Sequence, residues 1–261
     1  MDVVAYLPRP LLTQLRITLG SEHALTPVFS WAELQATVKH LVTDVVVADP
    51  SATGKVEVEA LEAIRRQFPS TPVVLYTTLA PASIKAIVQL AKSGIEHVVL
   101  QRFDDEPARF LELIEGIPAF ALGDRMLQEL SGPLSCLPIV LVRAVDQLFR
   151  SPLRFKNAQD LAEVAGMNLR TLYRNLEPAG IFSARALVVS ARLLRAYAYL
   201  KDPGRSIKDV AAKAGYPSGW QLSQQMREMT GYTTEQVRRE VHSDVLIALL
   251  AEQVGRRRRT G

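Results

Sequence analysis

Through the first 118 residues, short runs of β-branched residues alternate with longer amphipathic stretches. Strand patterns fall at 2–7 (DVVAYL), 24–29 (ALTPVF), 44–49 (DVVVAD), 72–77 (PVVLYT) and 97–100 (HVVL). Between and after them lie RPLLTQLRITLG, SWAELQATVKHL, VEVEALEAIRRQF, PASIKAIVQLAKSG and DEPARFLELIEGI. Several of these open on Ser or Pro and close near Gly, as helix ends do. Continuous apolar strands need cover on both faces, so five β-α units predict a doubly wound, five-stranded parallel sheet of flavodoxin-like type, α/β in class.

From about residue 118 the strand pattern stops. Residues 119–136 have a helix-like middle bounded by Pro118 and the cluster Gly132, Pro133, Pro138, and read as a linker. Everything beyond reads as an all-α domain over 137–255, with a basic tail at 256–261. IVLVRAVDQLF sets Val142, Val145 and Phe149 on one face, and further helices follow at NAQDLAEVAG, NLRTLYRNL, ARALVVSARLLRAYAYLK and SDVLIALLAEQV.

This half contains a repeat. DLAEVAG at 160–166 returns as DVAAKAG at 209–215, Leu172 and Leu176 are answered by Leu222 and Met226, and Gly180 by Gly231. Small Ala where two helices cross and Gly where the turn needs a positive φ are the demands of a helix-turn-helix corner. In such a corner the second helix enters the DNA major groove and reads with outward residues of its N-terminal part. With Leu172 and Leu176 facing inward, the first copy offers Asn168, Leu169, Arg170, Thr171, Tyr173 and Arg174. The second offers Ser218, Gly219, Trp220, Gln221, Ser223, Gln224 and Arg227. Arg suits guanine O6 and N7, Gln221 or Gln224 suits adenine, and the others suit phosphate or apolar contacts. Phosphate affinity is further expected from Arg205 and Lys208.

Charge strengthens this division. Residues 1–135 carry 11 Lys and Arg against 16 Asp and Glu, a net of −5, and residues 136–261 carry 20 against 11, a net of +9. Without Arg256–Arg259 the second half is still +5. Double-stranded DNA is the expected partner of the basic half. Composition is otherwise that of ordinary globular protein, 48% hydrophobic and 22% charged. One cysteine, Cys136, makes no internal disulfide, and no Cys and His cluster has metal-ligand spacing. No metal and no cofactor is expected. An acid at position 2, Pro8 in the first apolar run and no long apolar stretch predict neither signal peptide nor membrane helix, and a cytoplasmic setting.

Residues 138–240 resemble the AraC/XylS family of bacterial transcription regulators. The family's connecting-helix motif Arg-Leu-x-x-Ala-x-x-x-Leu stands at Arg192, Leu193, Ala196 and Leu200, continues into SIKDVAAKAGY and ends near GYTTEQVR. The resemblance implies two helix-turn-helix units on one chain, joined by a rigid helix, with their reading helices in successive major grooves about 34 Å apart. The family usually has Phe, then Arg, then Phe-Lys along the second reading helix; here Leu222, Gln224 and Met226-Arg227 stand there. Where it commonly has Gly, Pro and Tyr-Arg, this chain has Gly231, Thr234 and Val237-Arg238. The first copy is also one residue shorter before its closing glycine, with Pro178 in it.

The five β-α units resemble the receiver domain of two-component response regulators. The resemblance implies a phosphoacceptor Asp ending strand three, where Asp49 stands, and a hydroxyl ending strand four, where Thr77 stands. An acid pair after strand one and a Lys after strand five are missing: Tyr6 to Pro8 and Gln101-Arg102 occupy those places. Phosphoryl transfer needs the divalent metal such acids hold, so Asp49 reads as a turn residue ahead of Pro50. The Gly54-Lys55 pair lacks the spacing of a phosphate loop, and His23, His40, His97 and His242 read as structural or solvated.

The favoured function is a non-enzymatic, sequence-specific transcriptional regulator whose receiver-like domain, residues 1–118, mediates homodimerisation or senses a signal. Two alternatives stand beside it. One is a response regulator switched by phosphorylation of Asp49. The other is a small-ligand domain at the carboxyl ends of the strands, at Leu7, Asp49, Thr77, Thr78 and Gln101.

Overall fold

The computed structural model describes residues 1–54, 56–116 and 120–256. By its internal contacts the chain divides into two units, Met1–Pro118 with Asp202–Arg205, and Ala119–Lys201 with Ser206–Gly261.

The first unit runs β1 (Asp2–Tyr6), α1 (Arg9–Leu19), β2 (Ala24–Pro27), α2 (Trp31–His40), β3 (Val45–Ala48), α3 (Val58–Gln67), β4 (Val73–Thr77), α4 (Pro81–Lys92), β5 (His97–Leu100) and α5 (Pro107–Gly116). The strands form one parallel sheet in the order β2-β1-β3-β4-β5, which is the flavodoxin-like order. Position in the sheet follows composition. The three inner strands are Val-rich and almost wholly buried, with Val4 opposite Val46 and Val47 opposite Val74. The weakest strand pattern, β2, lies at an edge, where Pro27 removes no ladder hydrogen bond the sheet needs. On one face Val4, Val46, Val73 and Leu75 meet Leu34, Val38, Leu61, Ile64, Phe68 and Leu90 in a single apolar cluster. Ser30 opens α2 by accepting from the Glu33 amide at 3.1 Å, while Glu33 accepts from the Phe29 amide at 2.7 Å.

The tetrapeptide Asp202–Arg205 groups with this unit. Arg205 is buried there; its guanidinium donates to the carbonyls of Leu41 at 2.7 Å and Val38 at 2.8 Å and lies 5.5 Å from the Phe68 ring centre. A cation is favoured at these carbonyls because they end α2, where the helix dipole is negative.

The second unit is helical: α6 (Phe120–Glu129), α7 (Ser131–Ser135), α8 (Ile139–Arg150), a short 3-10 turn (Pro152–Arg154), α9 (Ala158–Val164), α10 (Leu169–Leu176), α11 (Ala184–Lys201), α12 (Ile207–Lys213), α13 (Gly219–Thr230), α14 (Thr234–Arg239) and α15 (Ser243–Gly255). Its axis is α11. Leu187, Leu193, Ala196 and Leu200 on that helix are fully buried, and α6, α8, α9, α12, α13, α14 and α15 all pack against it.

The span read as a linker is different in the structure. Residues 120–135 form α6 and α7, Met126, Leu130 and Leu134 are buried, and a Cβ on Gly123 would come within 3.2 Å of the Phe149 carbonyl, so α6 crosses α8 closely. Gly132 and Pro133 separate nothing: they sit in the first turn of α7, where the missing proline N–H is not needed. The expected tail at 256–261 lies, beyond Arg256, outside the described residues, as do 117–119 and Lys55.

Candidate nucleic-acid interface

Each helix corner is built the same way. In the first, the Asn157 side chain accepts from the Gln159 amide at 2.7 Å and the Asp160 amide at 3.3 Å, while Asp160 accepts from the Asn157 amide at 3.3 Å. This capping box starts α9. Gly166, at φ 66°, then turns the chain, and the Met167 amide donates to the Ala162 carbonyl at 2.9 Å. Asn168 caps α10 by accepting from the Thr171 amide at 2.9 Å. In the second corner Ser206 caps α12, Gly215 turns at φ 76°, and Tyr216 donates to the Ala211 carbonyl at 2.8 Å. Ser218 caps α13 by accepting from the Gln221 amide at 3.2 Å. Gly231, at φ 79°, closes that helix.

The caps put α10 and α13 in one frame. Asn168 answers Ser218, and fifty residues separate each further pair: Leu172 and Leu222, Leu176 and Met226, all four fully buried. The second turn holds one residue more than the first because Pro217 is added before the cap.

With the inner positions fixed, the outer ones follow. On α10, Leu169, Arg170, Tyr173 and Arg174 are exposed and Thr171 is half-buried. On α13, Trp220, Gln221, Gln224 and Arg227 are exposed, Trp220 to 71%. Asn168 and Ser218 are exposed but their side-chain oxygens are spent on their own helices. Gly219 is half-buried; a Cβ there would stand 3.2 Å from Cγ2 of Ile207, so the residue is small because α12 lies close. The Ser223 hydroxyl is 3.1 Å from that of Thr234 at the start of α14, so this side chain turns toward the protein. Gln224 donates to Glu228 at 2.9 Å, which brings an acid onto the outer face of α13 that the sequence reading passed over. Its signal was available in the four-residue spacing of Gln and Glu on one helix.

Lys208 is exposed, as phosphate contact requires. Arg205 is not. The expectation that it touches phosphate fails because its guanidinium is buried against α2 carbonyls, beside Asp202.

In the first unit, Asp49 sits at the carboxyl end of β3, next to the point where the sheet order reverses. It is buried, and one carboxylate oxygen accepts from the Ser51 amide at 2.9 Å, the Ser51 hydroxyl at 2.7 Å and the Thr77 hydroxyl at 2.9 Å. Asp49 is thus the turn-forming residue the Asx pattern predicts, tied to β4 as well. Tyr6, the last residue of β1, is buried edge-on against Trp31, ring centres 4.3 Å apart. Burial, then the charges of Glu57 and Asp49, push its phenol above the ordinary range. Among the described residues no group of three or more His, Cys, Asp and Glu stands ready to hold a metal ion. At the end of β5, Arg102 adopts a left-handed φ of 68° and its amide donates to Asp105 at 2.7 Å. The other Asp105 oxygen accepts from Tyr76 at 2.7 Å, and burial together with that bond holds the Tyr76 phenol well above its usual range. Thr77 is buried and its hydroxyl lies between Asp49 and Ser83, while Thr78 is exposed and Gln101 is half-buried.

Residues 161–240 match a protein family described as a helix-turn-helix domain, a span that takes in α10, α11, α12, α13 and α14 and all of α9 but its first three residues. Over that span the chain carries an AraC-type helix-turn-helix domain. No curated protein matches the chain. Among solved structures, the N-terminal signal receiver domain of a two-component response regulator from Bacteroides fragilis is 23% identical, over 43% of this chain and 92% of that one, with a TM-score of 0.37. Full-length FixJ from B. japonicum is 17% identical over 82% of this chain and 96% of that one, with a TM-score of 0.42. The xylose-binding transcription activator XylR is 11% identical over 91% of this chain and 69% of that one, with a TM-score of 0.35. The strand order gives the first unit its flavodoxin-like fold, and the family match covers the helix-turn-helix span of the second. No helix among the described residues is long and apolar enough to cross a membrane.

Proposed function

We propose that this chain is a sequence-specific regulator of transcription that docks α10 and α13 on double-stranded DNA, works in the cytoplasm without catalytic activity of its own, and takes its input through a receiver-like unit that is not phosphorylated. One observation carries the reading. Two N-capped helices in a single frame bury the same inner positions and turn Arg170, Arg174, Trp220, Gln221, Gln224 and Arg227 outward in the basic half of the chain. Selection of bound duplexes from a random pool by the full-length protein tests it. An enriched site is expected, and Arg170→Ala is expected to lose about 1–3 kcal/mol of discrimination at one base pair, the worth of a bidentate guanine contact. Equal weakening on every duplex would contradict the role given to α10.

The unphosphorylated reading rests on the buried, triply engaged oxygen of Asp49 and on the Tyr6–Trp31 pair where metal-holding acids would be needed. Incubation with a small phosphodonor and Mg²⁺, followed by intact mass, is expected to leave the protein unchanged; a phosphate adduct lost in Asp49→Asn would replace this reading with a phosphorylation switch. Homodimerisation through the first unit is supported by the exposed apolar residues Leu79, Ile84, Val88 and Phe103, with the exposed Lys85 and Lys92 on α4. Sedimentation of the full-length chain is expected to give a dimer, and a monomer at high concentration removes the idea.

A further inference from the structure

The shared frame of the two reading helices permits a residue-by-residue comparison of their outer faces. Counting from the caps, Arg170 on α10 and Trp220 on α13 occupy the same place, the second residue of the helix. Arg174 and Gln224 occupy the same place one turn on. The first helix therefore projects two guanidinium groups where the second projects an indole and a carboxamide. Trp220 is exposed to 71%, the highest value for a large apolar residue among the described residues of the second unit, and it stands in the turn that enters a groove first. Gly219 beside it leaves that turn tight against Ile207. Gln221, next along, is exposed, with its amide N–H already taken by the cap.

An indole offers guanine one N–H donor where arginine offers a bidentate pair, whereas its large apolar face suits the thymine 5-methyl group, and a neighbouring carboxamide suits the N6 and N7 edge of adenine. Both chemistries meet on A·T pairs. Glu228, holding Gln224 at 2.9 Å, adds negative charge farther along α13 and disfavours a phosphate clamp there.

We propose that α13 is a methyl-reading helix: Trp220 recognises thymine methyl groups with Gln221 on adenine, so the operator has two chemically unlike halves, a guanine-containing half under α10 and an A·T half under α13. The inference rests on the DNA-binding reading above, and its test separates the two. A duplex selected by the full-length protein is remade with deoxyuridine for thymidine, one position at a time, which deletes the methyl and leaves base pairing intact. One or two positions within one half are expected to lose affinity about fourfold each, the worth of burying one methylene-sized group. In Trp220→Ala those substitutions are expected to have no effect, and in Arg170→Ala they are expected to keep it. Trp31→Phe leaves Trp220 the sole indole of a chain with two tryptophans. In that variant the thymine duplex is expected to quench its fluorescence more than the uracil duplex.

Enrichment of a site whose binding ignores uracil, or loses equally with and without the Trp220 side chain, overturns this inference and leaves DNA binding standing. A Trp220→Ala protein that keeps full affinity but changes its sedimentation coefficient also overturns it, in favour of a protein-facing tryptophan. Failure to enrich any duplex sinks both readings together.

Discussion

The helices α10 and α13 are alike inward and unlike outward. Leu172 and Leu176 against Leu222 and Met226 fill the same two buried places, and Asn168 against Ser218 caps each helix at the same register. Outward, Arg170 and Arg174 are answered by Trp220 and Gln224. The scaffold fixes the inner residues through packing, because a corner that loses a buried contact opens a cavity. The inner packing leaves the outer set free to diverge, and under the proposed DNA-binding reading that divergence reflects what each helix touches. A repeat whose two copies read one motif twice would have kept the same outer chemistry.

The inward half of the comparison predicts the largest effects. Leu172→Ala and Leu222→Ala should each destabilise the second unit by about 2–5 kcal/mol, the range for deleting a fully buried leucine, and by similar amounts because both are completely enclosed. Urea unfolding followed by circular dichroism gives the values. A much smaller loss at Leu222 would mean that the second corner is slack, and the shared frame would no longer hold.

Outward effects come next, and salt separates them. Arg174→Ala removes a cation placed for phosphate and should lower the slope of log affinity against log salt by about one unit. Gln224→Ala, at the matching place, should leave that slope unchanged while weakening binding at low and high salt alike. Titration of a selected duplex across a salt series distinguishes the two. Equal changes in slope would erase the contrast between the helices.

The sequence made the sheet legible because its inner strands are unbroken apolar runs, Val3–Ala5, Val45–Ala48 and Val73–Tyr76, which admit only cover on both faces. The corners were legible because Ala162, Gly166 and Leu172 recur in the same order 49 or 50 residues on as Ala211, Gly215 and Leu222. Misreadings arose where local signals had two physical meanings. Gly132 and Pro133 mark breaks in many chains, but here they open a helix. Arg205 looks like one more cation in a basic half, and only the carbonyls of Val38 and Leu41, more than 160 residues earlier, reveal that it is buried. Ser223 reads as outward on a helical wheel, while its partner Thr234 belongs to the next helix. Local pattern fixes which face a residue occupies; long-range partners decide whether that face meets solvent.

The smallest predicted effect tests the caps. Asn168 sits among the outward residues of α10, and its exposure alone would suggest a DNA contact. Its side-chain oxygen, however, accepts from the Thr171 amide at 2.9 Å, the task that Ser218 performs for Gln221 at 3.2 Å. If capping is the whole of its work, serine must serve as well in the first helix as it does in the second. Asn168→Ala should then destabilise the second unit by about 1 kcal/mol, whereas Asn168→Ser should stay within about 0.5 kcal/mol of the parent. Affinity for the selected duplex should be unchanged in the serine variant, because it keeps the oxygen and discards only the amide. A serine variant that folds as well as the parent yet binds several-fold more weakly would show that the Asn168 amide reaches the DNA, and the outer face of α10 would then begin one residue earlier than the comparison with α13 sets it.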